Sequence, residues 1–393
     1  MSKIRRALGL MSGTSMDGID IALIETDGEN HVRRLAAVGV DYTPDFRERL
    51  REALRDAVTI QKRDERPGSL AAVEAELTQL HADAVLRFIG DRMLQPSAID
   101  VIGFHGQTVL HRWDDNPPPP LPGMRPPPLP GAKPRPEPPG RMLTVQIGDG
   151  AALAAATGID VVHDLRAADC AAGGQGAPLV PVYHRALAAK VTERPIAFVN
   201  IGGVGNITWI GADGTLIAFD TGPGNAMIDD WVMKRTGAPR DENGALAAKG
   251  TVHEDYVSAY LRHNHFAAPV PKSLDRNAFD VSLVDPLSIE DGAATLTAFT
   301  AASIARAREH VPEEPRMWII AGGGRRNRTL MAMLAGYVHS AVVPVEAIGF
   351  DGDAVEAEAW AYLAVRSLDQ RPITFPGTTG VRVPLTGGVL SRA

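Results

Sequence analysis

The sequence predicts an α/β protein made of two similar halves, and three observations carry the prediction. Apolar runs rich in Val and Ile alternate with stretches whose apolar residues recur at steps of three and four. A strand, turn, strand unit at the start of the chain returns near Ile196. Glycine turns follow the apolar runs throughout. At 393 residues the chain exceeds one comfortable core, so two domains are expected, 1–190 and 191–393.

The first apolar run enters Gly9-Leu10-Met11-Ser12-Gly13-Thr14-Ser15-Met16-Asp17-Gly18-Ile19-Asp20, and a second run, Ile21 to Ile24, follows. Small residues and an Asp where the backbone reverses read as a tight turn with amides free for an anion. Ser12, Thr14 and Ser15 add hydroxyl donors, and Asp17 offers a carboxylate to a Mg²⁺-bound water. The segment reads as a phosphate clamp. It is not a P-loop, because no Lys follows the glycines and no long helix opens after the turn. Next comes a helical pattern through Val73, Leu77, Leu80, Ala84 and Phe88, then strands Val101 to Phe104 and Ile159 to Val162. Between those strands, Asn116 to Gly140 holds 13 of the chain's 30 prolines. That stretch reads as an extended loop, either a tolerated insertion or a docking segment.

The second half opens with the strand Ile196 to Ile201 and the turn Gly202-Gly203-Val204-Gly205-Asn206. The strand Leu216 to Phe219 meets Asp220-Thr221-Gly222-Pro223-Gly224-Asn225, a turn into a helix holding Met227, Ile228 and Trp231. A helical pattern through Leu296, Phe299, Ser303 and Ile304 precedes the strand Met317 to Ala321 and Gly322-Gly323-Gly324. A last helix runs from Asp353 and Glu356 to about Leu368.

Composition narrows the function classes. An apolar share of 45% with 22% charged residues is that of an ordinary soluble globular protein. No apolar run approaches the roughly 18 residues of a membrane span, and the start lacks a signal peptide's apolar core; a cytoplasmic protein is expected. Cys170 is the single cysteine, which excludes an intramolecular disulfide and a cysteine-built metal site. A net charge of −7 without a long basic run argues against nucleic acid as a partner.

Several residues stand where chemistry is expected. Glycine turns such as Gly202-Gly203, Gly173-Gly174-Gln175-Gly176 and Gly322-Gly323 let backbone amides approach phosphate or adenosine closely. Two hairpin clamps in two similar halves resemble the actin-like ATPase and sugar-kinase architecture, in which ATP lies in a cleft between related domains. Asp220, at a strand end, is placed to act as a general base, or to stabilise its turn and cap the helix beyond it. Arg166 offers a planar fork for a substrate carboxylate, with Asp169 beside it as a second substrate-binding residue, or an internal ion pair with Asp164 or Asp169. Glu356 either faces the reaction centre or caps its own helix. His105, between small neighbours, is placed to meet a ligand or to sit buried in its turn.

These strings, with Gly106-Gln107-Thr108, Gln146-Ile147-Gly148, Gly173 to Pro181 and Asn200-Ile201-Gly202-Gly203, resemble the anhydro-N-acetylmuramic acid kinase family over almost the whole chain, apart from the proline-rich stretch. The resemblance implies the two-domain actin-like fold, ATP with Mg²⁺, an amino-sugar substrate, a homodimer, and a role in peptidoglycan recycling. It implies that 1,6-anhydro-N-acetylmuramic acid, ATP and water give N-acetylmuramic acid 6-phosphate and ADP. Asp220 would activate the water, with Glu356 near the same substrate and Ser12 to Ile19 clamping the ATP phosphates. The alternative within the same architecture is a sugar kinase acting on an intact hydroxyl. Two departures from the family pattern are expected to leave Asp220 and the clamps untouched: Lys272-Ser273-Leu274-Asp275-Arg276-Asn277 in place of Lys-Ser-Thr-Gly-Arg-Glu, and Leu165 in place of Phe.

Overall fold

The computed structural model describes residues 3–13, 16–114 and 141–393. Thr14, Ser15 and the proline-rich stretch 116–140 lie outside the described residues. The chain folds into two compact units, Met1–Ala186 with Glu356–Ala393, and Leu187–Val355. The strands in chain order are β1 (Arg5–Ser12), β2 (Gly18–Thr26), β3 (Val32–Asp41), β4 (Val101–Asp114), β5 (Arg141–Ile147) and β6 (Val161–His163). They continue with β7 (Ile196–Ile201), β8 (Val204–Ile210), β9 (Leu216–Pro223), β10 (Met317–Ala321), β11 (Ala341–Pro344) and β12 (Val389–Ser391).

The two sheets repeat one plan. In the first unit the order is β12-β6-β4-β1-β2-β3, with β5 also paired to β4; in the second it is β11-β10-β7-β8-β9. Each begins with a three-strand antiparallel meander, β1-β2-β3 or β7-β8-β9. Each then adds strands parallel to the meander's first strand, β4 and β6 or β10 and β11. The repeat inferred from the glycine turns is therefore a repeat of the whole sheet, and the α/β expectation holds. Strands with helices to cover them are buried on both faces and read as continuous apolar runs, which is why Ile196–Ile201 and Met317–Ala321 were legible.

Helices supply the other half of each core. Leu70–Gly90 buries Val73, Leu77, Ala84 and Phe88 of the face predicted from spacing, leaves Leu80 half-buried, and adds Leu70 and Val85 to the core. Ile289–Ala305 buries nearly every side chain after its first turn. The helix Val355–Leu368 departs from expectation: the sequence reading kept everything after residue 190 together, whereas residues 356–393 pack with the first unit. The reason is a notch. Gly9 of β1 pairs directly with Gly103 of β4. A Cβ on Gly9 would lie 1.8 Å from the Ala357 carbonyl oxygen, and one on Gly103 2.0 Å from that of Trp360. Two adjacent bare positions thus let the helix backbone sit against the sheet, with Ala357, Ala361 and Ala364 buried at the contact. The chain's end closes the sheet, β12 pairing antiparallel with β6.

Candidate active site

In the second unit, Asp220 lies inside β9, opposite Asn206 of β8; the strand continues through Thr221-Gly222-Pro223, so the expected strand end at Phe219 is corrected to Pro223. Its N–H donates to the Lys272 carbonyl at 2.9 Å. Its own carbonyl accepts from His265 Nε2 at 2.9 Å, so that ring nitrogen carries the proton. Its Oδ2 accepts the Leu274 N–H at 2.8 Å. Among the described residues Oδ1 accepts no hydrogen bond. Burial pushes the carboxyl group up to about 6, against the opposing pull of the Leu274 amide. A partly accessible carboxylate with one oxygen fixed and the other open has the geometry and affinity of a general base near neutral pH.

The loop that departs from the family pattern is the one that holds this carboxylate. The expectation that the departure leaves Asp220 untouched is corrected here: residues 272 and 274 contact it directly. Both contacts are made by the main chain, which any residue but proline supplies at position 274. A Leu in place of Thr at that position therefore keeps the contact.

The four glycines expected to meet ATP in this unit come together. β7 and β10 are adjacent and parallel, with Asn200 opposite Ala321, so Gly202-Gly203 and Gly322-Gly323 leave the sheet at the same end. Gly322 has φ +73° and a Cβ there would strike Asn200 and Ile201, so its glycine is required by the fold. Gly202, Gly203 and Gly323 differ. A Cβ on any of them would meet nothing closer than 3.7 Å, so packing does not require glycine there. A Cβ would fit at these three positions in ordinary van der Waals contact, and leaving it out lets a phosphate or ribose approach the backbone closely. Asn225 braces the group, its Nδ2 donating to the Ile201 carbonyl at 3.0 Å and its N–H to that of Gly202 at 2.7 Å.

In the first unit the β1–β2 turn divides the expected clamp. Ser12 is fully buried, its hydroxyl donating to Gln107 Oε1 at 2.7 Å and 2.8 Å from the Tyr42 hydroxyl, so it supports the turn from beneath. Ile19 is a core side chain. Gly18 has no room for a Cβ, which would lie 2.4 Å from the Val40 carbonyl oxygen. Gly13, Met16 and Asp17 form the accessible tip; Met16 N–H bonds the Gly13 carbonyl at 3.1 Å, and Asp17 is exposed. Among the described residues no group of three or more His, Cys, Asp or Glu is arranged to hold a metal ion by itself.

His105, Arg166 and Glu356 also come together in this unit. Arg166 donates to the Gly176 carbonyl at 2.8 Å and to His105 Nε2 at 3.1 Å. Arginine has only donors, so His105 Nε2 is the acceptor and the ring proton is on Nδ1. Burial, then the neighbouring guanidinium, hold His105 well below its ordinary value, and it stays neutral. Trp360 packs 4.4 Å from the His105 ring and 5.2 Å from the Arg166 guanidinium carbon. Glu356, one turn earlier on the same helix, is exposed and close enough to favour the charged form of Arg166. Asp169 is spent internally: it accepts the Gly176 N–H and the Thr379 hydroxyl, both at 2.6 Å, and so shapes the Gly173–Gly176 turn. The ion pair between Arg166 and Asp164 does not form, because Asp164 pairs with Arg63. Trp360 was missed by the sequence reading, although its spacing of four from Glu356 on a helix places the two on one face.

Known proteins resemble this chain along its length. The profile of the family described as anhydro-N-acetylmuramic acid kinase matches residues 5–119 and 135–392. A protein of that name from Rhizorhabdus wittichii is 52% identical over 98% of both chains. Another from Methylobacterium nodulans is 50% identical over 98% of this chain and all of its own. Among solved structures, a ROK family glucokinase from Streptomyces griseus covers 91% of this chain and 98% of its own at 11% identity, with a TM-score of 0.40. With matches of this length and identity, the chain belongs to the anhydro-N-acetylmuramic acid kinase family.

Proposed function

We propose that the chain opens 1,6-anhydro-N-acetylmuramic acid with water and phosphorylates it from ATP, giving N-acetylmuramic acid 6-phosphate and ADP. The observation that carries the reading is Asp220, with one carboxylate oxygen held by the Leu274 amide, in a chain of this family; burial pushes its carboxyl group up to about 6. Asp220 takes a proton from water as its oxygen bonds to the anomeric carbon. The bond from that carbon to the 6-oxygen breaks, and the released 6-oxygen bonds to the γ-phosphorus as ADP leaves.

The remaining residues bind and orient. Backbone at Gly202, Gly203, Gly322 and Gly323, and at the tip of the Ser12–Ile19 turn, contacts ATP. Thr14 and Ser15 belong to that assignment although they lie outside the described residues. The bare glycines fit a nucleotide, and Asp17 is the carboxylate that would hold a water of Mg²⁺, which supplies charge neutralisation on the phosphates. Arg166 directs its unused donors to the sugar's carboxylate, His105 lines the same place, and Glu356 polarises the sugar end of the reaction. Asp169 serves through the turn it shapes. A cytoplasmic location, the recycling role and a homodimer belong to the same reading.

The test is ADP release with Mg²⁺ and ATP, comparing the anhydro sugar with N-acetylmuramic acid and N-acetylglucosamine. Turnover confined to the anhydro sugar and abolished in Asp220→Asn is expected. Turnover with an intact sugar would replace the mechanism by ordinary hydroxyl phosphorylation, and ADP release without sugar would make the protein an ATPase.

A further inference from the structure

Three main-chain and side-chain atoms of Asp220 are bound by one stretch of chain, residues 265–274: its N–H by Lys272, its carbonyl by His265 and its Oδ2 by Leu274. What fixes that stretch is the Lys272 ammonium. Lys272 is only 8% exposed. Its Nζ lies 2.9 Å from the His265 carbonyl, 3.4 Å from the Phe266 carbonyl and 3.1 Å from His310 Nε2. Two of its donors meet the two carbonyls; His310 Nε2, 3.1 Å from both Nζ and the Phe266 carbonyl, either accepts from the ammonium or donates to that carbonyl, according to its tautomer. Among the described residues no carboxylate lies within ion-pair distance of Nζ. A buried ammonium without a counter-ion is costly, and an apolar side chain would fill the place at less cost. What the ammonium supplies that an apolar side chain would not is its directed bonds to the His265 and Phe266 carbonyls.

We propose that Lys272 is a positioning residue for the general base: its ammonium ties residues 265–274 into the shape that presents the Leu274 amide to Asp220. The bonds close a ring. Lys272 holds the His265 carbonyl, the His265 side chain holds the Asp220 carbonyl, and Asp220 N–H holds Lys272 in turn. The Phe219 ring, one residue before Asp220, lies 5.7 Å from Nζ and joins the same group. The charged and titratable groups around the ammonium are Arg306, Glu309, His265 and His310, with His263 beside His265. The proposal rests on Asp220 being the base.

The experiment is steady-state kinetics of Lys272→Met across pH, together with Lys272→Cys alkylated by 2-bromoethylamine, which restores an amine at nearly the original length. Position 272 is as buried as Cys170, at 8% and 3% exposed, so the alkylation is carried out on the unfolded chain in a Cys170→Ala background and the protein is then refolded. In Lys272→Met, kcat is expected to fall about tenfold and the acid limb of kcat/KM to rise by about one pH unit, as the Leu274 bond to the carboxylate weakens. The KM for ATP is expected to stay within about twofold, and alkylation to return both changes. A folded Lys272→Met with the original kcat and acid limb would overturn the proposal. Should that variant fail to fold, Lys272→Arg, which keeps the charge but cannot place a compact ammonium on the same carbonyls, takes its place; the same rise in the acid limb supports the proposal, and an unmoved limb overturns it. Asp220→Asn separates the two readings. Activity in that variant would remove Asp220 as the base, whereas its inactivity beside an unaffected Lys272→Met would remove only the anchor.

Discussion

Asp220→Asn should abolish turnover and make the protein more stable, and the two effects share one cause. A carboxyl group that titrates near 6 rather than 3.8 is a burden to the fold once ionised. The difference of about two pH units corresponds to about 3 kcal/mol at pH values above 6. Protonation removes that burden, so the penalty is absent below about 4, grows between about 4 and 6, and is complete above 6. Asparagine keeps an oxygen for the Leu274 N–H and never carries the charge. At pH 7.5 the variant should therefore unfold several degrees above the parent, and at pH 4 the two melting curves should converge. In the parent enzyme, kcat/KM should follow the ionised fraction and fall to about one tenth of its plateau at pH 5. Calorimetry at both pH values and a pH–rate profile measure all of this. An acid limb near 4, or a variant less stable than the parent by the same amount at both pH values, would refute the reasoning.

Two further substitutions probe the first unit. Gly103→Ala places a methyl group 2.0 Å from the Trp360 carbonyl oxygen, where backbone opposes backbone and the helix Val355–Leu368 must retreat by more than 1 Å. A loss of about 1–3 kcal/mol is expected in thermal unfolding, with kcat down about 100-fold as Glu356 and Trp360 shift; unchanged values would show that the notch is not needed. Arg166→Lys keeps the charge but loses the planar fork that spans the Gly176 carbonyl and His105. The KM for the sugar should rise at least about tenfold while the KM for ATP stays put, and an equal rise in both would contradict the proposed contact.

Short-range signals were readable because local physics generates them. Apolar runs ending at glycine gave β4, β7 and β10, steps of three and four gave the helices Leu70–Gly90 and Ile289–Ala305, and the paired glycine turns gave the repeated sheet. Asp220 stood out as a carboxylate directly after an apolar run, although capping or turn stabilisation was the competing reading; the observed N-cap of the following helix is Asn225. What escaped detection depends on partners distant in sequence. Leu274 reaches Asp220 across 54 positions through an amide that carries no side-chain signature. Ser12 looked like a phosphate ligand until Tyr42 and Gln107 claimed its hydroxyl, and Asp169 looked like a substrate ligand or a partner of Arg166 until Thr379, 210 positions later, bound it. The return of residues 356–393 to the first unit is written in Gly9 and Gly103, and bare positions in a strand do not say what will fill them.

That return bears on how the protein is made. The first unit is interrupted: its chain leaves at Ala186 and resumes at Glu356. At about 5–20 residues per second, the intervening stretch and tail take about 10–40 s to synthesise. Throughout that interval the Gly9–Gly103 notch has no helix and the outer edge of β6 has no β12. Residues 187–355, contiguous in sequence, are complete before the first unit is. The half that leaves the ribosome first is thus the last to be finished, and a stop codon just before residue 356 would cripple the N-terminal unit while leaving the later-made one whole.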